Sequence, residues 1–223
     1  MIYITGDTHG DFDRFKKFKS IFKRNKDYII VCGDFGFIWD GSEEEKKLLD
    51  KFKKLKCTVL FVEGCHDNLD LLKTYPEKEM FGGKVREINE NLFYLKRGQV
   101  FEIEGKTIFT MGGGQSYDCE DRIPGKTWWS DEMPTMEEFR EGEKNLMSRD
   151  CKVDIIITHQ NPHSDFIVET NTIPKDNILV AFLLSVSKNI EYKHWYFGCE
   201  HLDKTVSPKI TAVFEKIIPV DQI

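Results

Sequence analysis

Short apolar runs and amphipathic helical stretches take turns through the first third of the chain, and that rhythm leaves few folds open. Residues 2–5 (IYIT), 28–32 (YIIVC) and 57–63 (CTVLFVE) are apolar runs of strand length. Between the first two, residues 11–24 place Phe12, Phe15, Phe18, Ile21 and Phe22 at helical spacing with Lys and Arg interleaved. Residues 42–55 form the second helical stretch, and Ser42 with Glu45 three residues on is a capping-box signal for its start. Strand, helix, strand, helix, strand implies parallel strands, right-handed crossovers and helices covering the sheet.

After residue 80 the rhythm changes. Runs at 84–88, 92–95, 99–103 and 106–111 read as strands with tight connections, residues 104–106 (EGK) making a hairpin turn. A polar, Gly-rich stretch at 112–134 is long for a plain connection in a compact domain. A helix at 135–149, a strand at 153–158, a helix near 175–188 and strands at 194–198 and 209–217 complete the reading. Parallel units joined to antiparallel ones predict an α/β fold, a four-layer sandwich of two mixed β-sheets flanked by helices. With no low-complexity tract, internal repeat or Pro/Ser-rich linker, residues 1–223 read as a single domain.

Charge and composition remove several function classes. Lys and Arg number 32 against 38 Asp and Glu, a net charge of −6 that argues against non-specific binding to nucleic acid or an anionic membrane surface. No apolar run approaches the roughly 18 residues a membrane span needs. The opening MIYITGDTHG has neither a basic stretch nor an apolar h-region, so no secretory signal is read there. The six cysteines then read first as reduced thiols, and the expected compartment is cytoplasmic.

The chemistry gathers just past the predicted strands, where side chains from neighbouring strands converge in α/β folds. Asp7 and His9 follow the first strand (GDTHG), Asp34 the second (CGDFG), and Cys65, His66 and Asp67 the third (EGCHDN). His159 follows the strand at 153–158 (THQNP), and Cys199 and His201 follow the strand at 194–198 (GCEH). Each motif alone is an ordinary turn or cap. Together, each at a strand end and each carrying a possible ligand, they predict a shared metal site.

The ordered set GDTH, GD, GCHD, TH and GCEH, running from Gly6 to His201, resembles the calcineurin-like metallophosphoesterases. The resemblance implies the same two-sheet sandwich and two divalent or transition metal ions (Mn, Fe or Zn), about 3.5–4 Å apart, holding a hydroxide poised to attack phosphorus in line. It places Asp7, His9 and His201 on one metal, Asp34 between both, and His159 on the second, beside positions 65 and 199. His66 would not be a ligand; it would face the scissile phosphate and protonate the leaving oxygen, with Asp67 orienting its ring. The implied activity is hydrolysis of a small phosphomonoester or phosphodiester, with nucleic acid no partner beyond a nucleotide-type substrate.

Two departures from the family pattern both fall on the second metal. Family members usually carry Asn where Cys65 stands and His where Cys199 stands. The expectation is an Asp34/Cys65/His159/Cys199 shell with two thiolates, favouring Zn or Fe. A disulfide between the two cysteines and a second site without metal remain alternatives, and so does a metal-binding protein on this scaffold with weak or no hydrolysis, or a thiolate-ligated redox or sensing site. In the 112–134 stretch, taken as a substrate-contact loop, Arg122 and Lys126 are candidate phosphate contacts. Trp128 and Trp129 either stack on a substrate ring or pin the loop to the domain. Cys32 and Cys57 read as core thiols, and His163 as a solvated turn histidine.

Overall fold

The computed structural model describes residues 1–17, 27–116, 118–162 and 177–220, with Lys17 described in its backbone alone. Among these residues, thirteen strands form two sheets. The first sheet is built on β1 (Ile2–Thr5), β2 (Asp27–Cys32) and β3 (Cys57–Val62), which pair parallel as the alternating rhythm predicts. It is extended by β4 (Glu77–Met80), β5 (Gly83–Asn89) and β6 (Leu92–Leu95), and closed at the other edge by β13 (Ile218–Pro219), in the order β13-β1-β2-β3-β6-β5-β4. The second sheet runs β11-β12-β10-β9-β8-β7, from β7 (Gln99–Ile103), β8 (Lys106–Met111), β9 (Lys152–Thr158), β10 (Glu191–Phe197), β11 (Lys204–Ser207) and β12 (Ile210–Ala212). Each sheet has parallel strands at its centre and antiparallel pairs at its edges.

Alternation along each strand explains the layers. Ile4, Ile30 and Leu60 point between the sheets and meet Ile108, Ile157 and Tyr196 from the second sheet. Their neighbours Ile29, Val31, Val59 and Phe61 face the other way, onto Phe15 of α1 (Phe12–Lys17), Leu49 of α2 (Glu43–Leu49) and Leu72 of α3 (Leu69–Leu72). Phe35 and Phe61 stack there with ring centroids 4.2 Å apart. On the far side, Ile156, Trp195 and Phe197 pack under Phe139 of α4 (Met136–Met147) and Leu183 of α5 (Ile178–Asn189). Helix, sheet, sheet, helix is the four-layer sandwich expected.

Several boundaries differ from the sequence reading, each for a physical reason. The 42–55 helix stops at Leu49 and resumes as a 3₁₀ turn, Phe52–Lys54, which keeps the fully buried Phe52 on the core side. Ser42 caps α2 by accepting from the Glu45 N–H (3.1 Å), but Glu45 does not return the bond. Its carboxylate instead accepts from the N–H groups of Trp39, Asp40 and Gly41, closing that loop upon itself. The full capping box lies on α4, between Thr135 and Glu138. The strand expected at 209–217 is broken: β12 ends at Ala212, and the chain crosses to the first sheet, where β13 begins at Ile218. The Asp203 carboxylate accepts from the N–H groups of Phe214, Glu215 and Lys216 along that crossing. β4 gives no strand signal in the sequence because its residues (EKEM) carry no apolar alternation. Residues 18–24 of the Phe-rich stretch, residues 175–176 and His163 lie outside the described residues.

Candidate metal centre

Strand register brings the ends of β1, β2, β3, β9 and β10 to one end of the sandwich, with Thr5 opposite Val31, Cys32 opposite Val62, and Phe197 opposite Thr158. The residues that follow therefore converge from both sheets. One ligand atom each from Asp7, His9, Asp34 and His201 forms a group within 4.8 Å of one another. His9 Nε2 and His201 Nε2 stand 3.0 Å apart, and His201 Nε2 lies 3.1 Å from Asp7 Oδ2. Asp34, Cys65 and His66 make a second such group. His159 Nε2 lies 3.8 Å from both Asp34 Oδ1 and Cys65 Sγ.

The backbone around these groups is unusual. Eight non-glycine residues among those described adopt positive φ, and half of them are candidate ligands: His9 (44°), Asp34 (41°), Cys199 (40°) and His201 (49°). Strained backbone of this kind persists where surrounding structure holds it, and it gathers at functional sites. Two glycines make room for the carboxylates. A Cβ on Gly64 would sit 2.0 Å from Asp34 Oδ1, and one on Gly198 would sit 2.0 Å from Asp7 Oδ1. Sequence reading saw these glycines as turn residues; only the tertiary approach of a second chain segment reveals what they accommodate.

Electrostatics and hydrogen bonding fit a cation. Both Asp7 oxygens are buried and accept no hydrogen bond from the described residues, a costly state for an ionised carboxylate unless a positive charge faces it. Burial raises the Asp7 carboxyl, but His159 and His201 outweigh it and hold the group down at about 2. His159 Nδ1 lies 3.2 Å from the Cys32 carbonyl, so it must act as donor there; this turns Nε2 toward Asp34 and Cys65. Burial pushes the Cys65 thiol up to about 11 and raises Cys199 as well, so neither ionises at neutral pH unless a cation binds. Atoms sharing one ion at about 2.0–2.3 Å stand roughly 3–4 Å apart, which the His9, His201, Asp7, Asp34, His159 and Cys65 distances satisfy. The donor set is one that holds Zn, Fe or Mn.

The other expected residues separate into three outcomes. His66 sits at the rim of the cluster, its side chain 30% exposed, Nε2 3.9 Å from Asp34 Oδ2 and its backbone N–H donating to Asp34 Oδ1 (2.9 Å). Cys199 lines the same cavity of about 490 Å³ as Cys65 and His159, but its Sγ joins neither compact group and lies 3.9 Å from Glu200 Oε1. Asp67 does not orient the His66 ring. Its buried carboxylate accepts from the N–H groups of Phe35, Gly36 and Gly64, because two loops with unpaired amides close around it. Asp67 therefore ties the loop after β2 to the loop after β3.

In the 112–134 stretch, Arg122 reaches the cavity, with Nε on Asp118 (2.7 Å) and Nη1 on the Thr127 carbonyl (3.0 Å). Lys126 and Trp128 stand outside the cavity lining. Trp129 is buried and meets Trp39 edge-on, ring centroids 4.9 Å apart, which pins the loop to the domain. Two buried arginines carry no mark in the sequence. Arg97 pairs with the fully buried Glu63 and reaches the carbonyls of Asp131, Glu132 and Met133, anchoring the end of the loop. Arg14 donates to the Asp7 and Phe214 carbonyls, and the Phe214 ring stacks on His201 at 4.9 Å. Both read in sequence as ordinary surface bases, since nothing local marks a buried guanidinium.

Fold and site together define a metal-binding hydrolase class. The chain belongs to the calcineurin-like phosphoesterases, whose family description matches residues 1–214. No curated protein matches it. Among solved structures it is similar to a crystal structure provisionally assigned as a 5'-nucleotidase from Staphylococcus aureus in complex with alpha-ketoglutarate. Identity is 16% over 96% of this chain and 48% of that one, with a TM-score of 0.49, so this chain spans about half the length of that protein. Among the described residues, no helix is long and apolar enough to cross a membrane.

Proposed function

We propose that the protein hydrolyses a small phosphomonoester or phosphodiester with two divalent ions held by Asp7, His9, Asp34, His201, His159 and the two cysteines. The observation that carries this reading is the buried Asp7 carboxylate, without a hydrogen bond from the described residues, facing two imidazoles and a second carboxylate. When bound, the ions supply Lewis acidity and bring the ionisation of water near neutrality. The side chains supply the rest. Asp34 joins the two ligand groups and, through the His66 N–H, fixes the position of that residue. His66 Nε2 donates a proton to the leaving oxygen, and Arg122 offsets the phosphate charge at the same rim. Six unpaired cysteines support a reducing, cytoplasmic setting.

The test is hydrolysis of p-nitrophenyl phosphate and bis-(p-nitrophenyl) phosphate with Mn, Fe or Zn under anaerobic conditions. For His66→Ala the expected result is a kcat about a hundredfold lower with unchanged metal content. Full turnover by that variant would remove His66 from the reaction.

A second reading is a metal-binding protein with little hydrolysis, and the cysteines at positions 65 and 199 favour it. Thiolates donate charge and weaken the acidity of the ion they bind. Wild type loaded with cobalt should show a sulfur-to-metal charge-transfer band in the near ultraviolet, and Cys65→Asn/Cys199→His should lose it. The double variant should hydrolyse faster than wild type and shift its preference from Zn or Fe toward Mn. Absence of the band in anaerobically purified wild type would end the thiolate assignment. An inert wild type beside an active double variant would make the binding reading correct.

A further inference from the structure

The cleft has two lobes, and His66 and Arg122 line both. The lobe that holds Cys65, His159 and Cys199 is lined by polar side chains, cysteines and a glycine, its only rings among the described residues being histidines. The other, about 470 Å³, is bounded by His9, Gly36 and Trp39. Trp39 is the one tryptophan among its lining residues, and it is 37% exposed where most large apolar side chains of this chain are buried.

The backbone of Trp39 is fixed at both its polar groups, and one neighbour packs on its ring. Glu45 of α2 accepts its backbone N–H (2.6 Å), Asn68 donates to its carbonyl (2.6 Å), and the buried Trp129 abuts its ring edge-on. A partly exposed indole lining a cavity, with its backbone fixed by two helix starts, costs little entropy when a flat group is laid on it. Phosphate held at His66 and Arg122 would have its substituent emerge into this lobe.

We propose that the Trp39 lobe is a subsite for a planar aromatic or heteroaromatic substituent of the phosphoester, stacked on the indole. The proposal rests on the phosphoesterase reading for the position of phosphorus, and it narrows the substrate class to aryl or nucleoside-type esters over aliphatic ones.

Phenylphosphonate and ethylphosphonate test it, since neither P–C bond is hydrolysed and the two differ in the planar group. Calorimetric titration of the metal-loaded protein should show phenylphosphonate binding about tenfold tighter, in line with base–aromatic stacking. Trp39→Ala should abolish that preference by weakening the phenyl compound alone, and Trp39→Phe should keep most of it. Equal affinities in wild type, a preference that survives Trp39→Ala, or no binding of either phosphonate would overturn the subsite. Hydrolysis of p-nitrophenyl phosphate, measured in parallel, separates the two ideas. Turnover without a Trp39-dependent preference sinks the subsite alone, and a Trp39-dependent preference without turnover sinks the phosphoesterase reading alone.

Discussion

Asp34→Asn is expected to cost the protein its ions and its turnover together. Asp34 is the one residue shared by both compact groups, and with two ions bound as proposed its loss would weaken both sites. Asn is the right replacement because position 34 has a φ of 41°, a conformation Asn tolerates, and an amide oxygen can still accept the His66 N–H. The polypeptide should therefore fold as before, with an unchanged circular dichroism spectrum and unchanged melting of the metal-free form. Metal content, measured after gel filtration, should fall from two equivalents to one or fewer. Turnover should drop by more than about 10³-fold, since the Lewis acidity and the activated water disappear with the ions. Retention of both ions by this variant would refute a bridging role.

Arg97→Ala carries the largest expected cost in stability. The Arg97 guanidinium is buried against Glu63, which is itself fully buried and sits one residue before Gly64 at the end of β3. Burial raises the Glu63 carboxyl even with Arg97 opposing it, so removing the guanidinium strands a carboxylate in the core. Breaking a buried pair from one side costs about 3–5 kcal/mol, or roughly 6–20 °C in Tm for a chain of this size. Replacing both partners, Glu63→Leu with Arg97→Met, should recover most of that loss, because the only carboxylate left without its partner is the part-exposed Glu138. It should not recover the loop: the carbonyls of Asp131, Glu132 and Met133 still lose their donor. Thermal unfolding and limited proteolysis of the 112–134 stretch separate the two effects. A double variant as unstable as Arg97→Ala would show that packing, not the stranded charge, sets the cost.

The contrast between these residues explains how far the sequence could be read. Asp7, Asp34 and His159 were legible because each stands at the end of a strand that its apolar run identifies, and strand ends in such folds meet at one edge. The layers were legible because alternation in β1 to β3 and in β9 assigns each side chain to a face. Arg97 was not, since its partners lie 34 to 41 residues away and its own neighbourhood (LKRG) reads as a basic turn. Trp39 is silent in the sequence for the same reason, its backbone being held by Glu45 and Asn68 and its ring met by Trp129 from three separate segments. Asp67 was assigned to its sequence neighbour His66, whereas loop amides from Phe35 and Gly36, about thirty residues earlier, claim it.

The candidate ligands also hang from different layers. Asp7, His9, Asp34 and Cys65 follow strands of the first sheet, and His159, Cys199 and His201 follow strands of the second. An ion bound among them would act as a rivet through the sandwich, joining residues 94 and 192 positions apart in sequence. Closing such distant pairs costs a folding chain loop entropy, though the cost rises only slowly with their separation. An ion that binds only the closed form adds about 2.7 kcal/mol at a hundredfold excess over its Kd. The apolar layer between the two sheets holds the seam on its own, and a bound ion would add to it at the end where the chemistry lies, so that endurance and chemistry would draw on the same atoms.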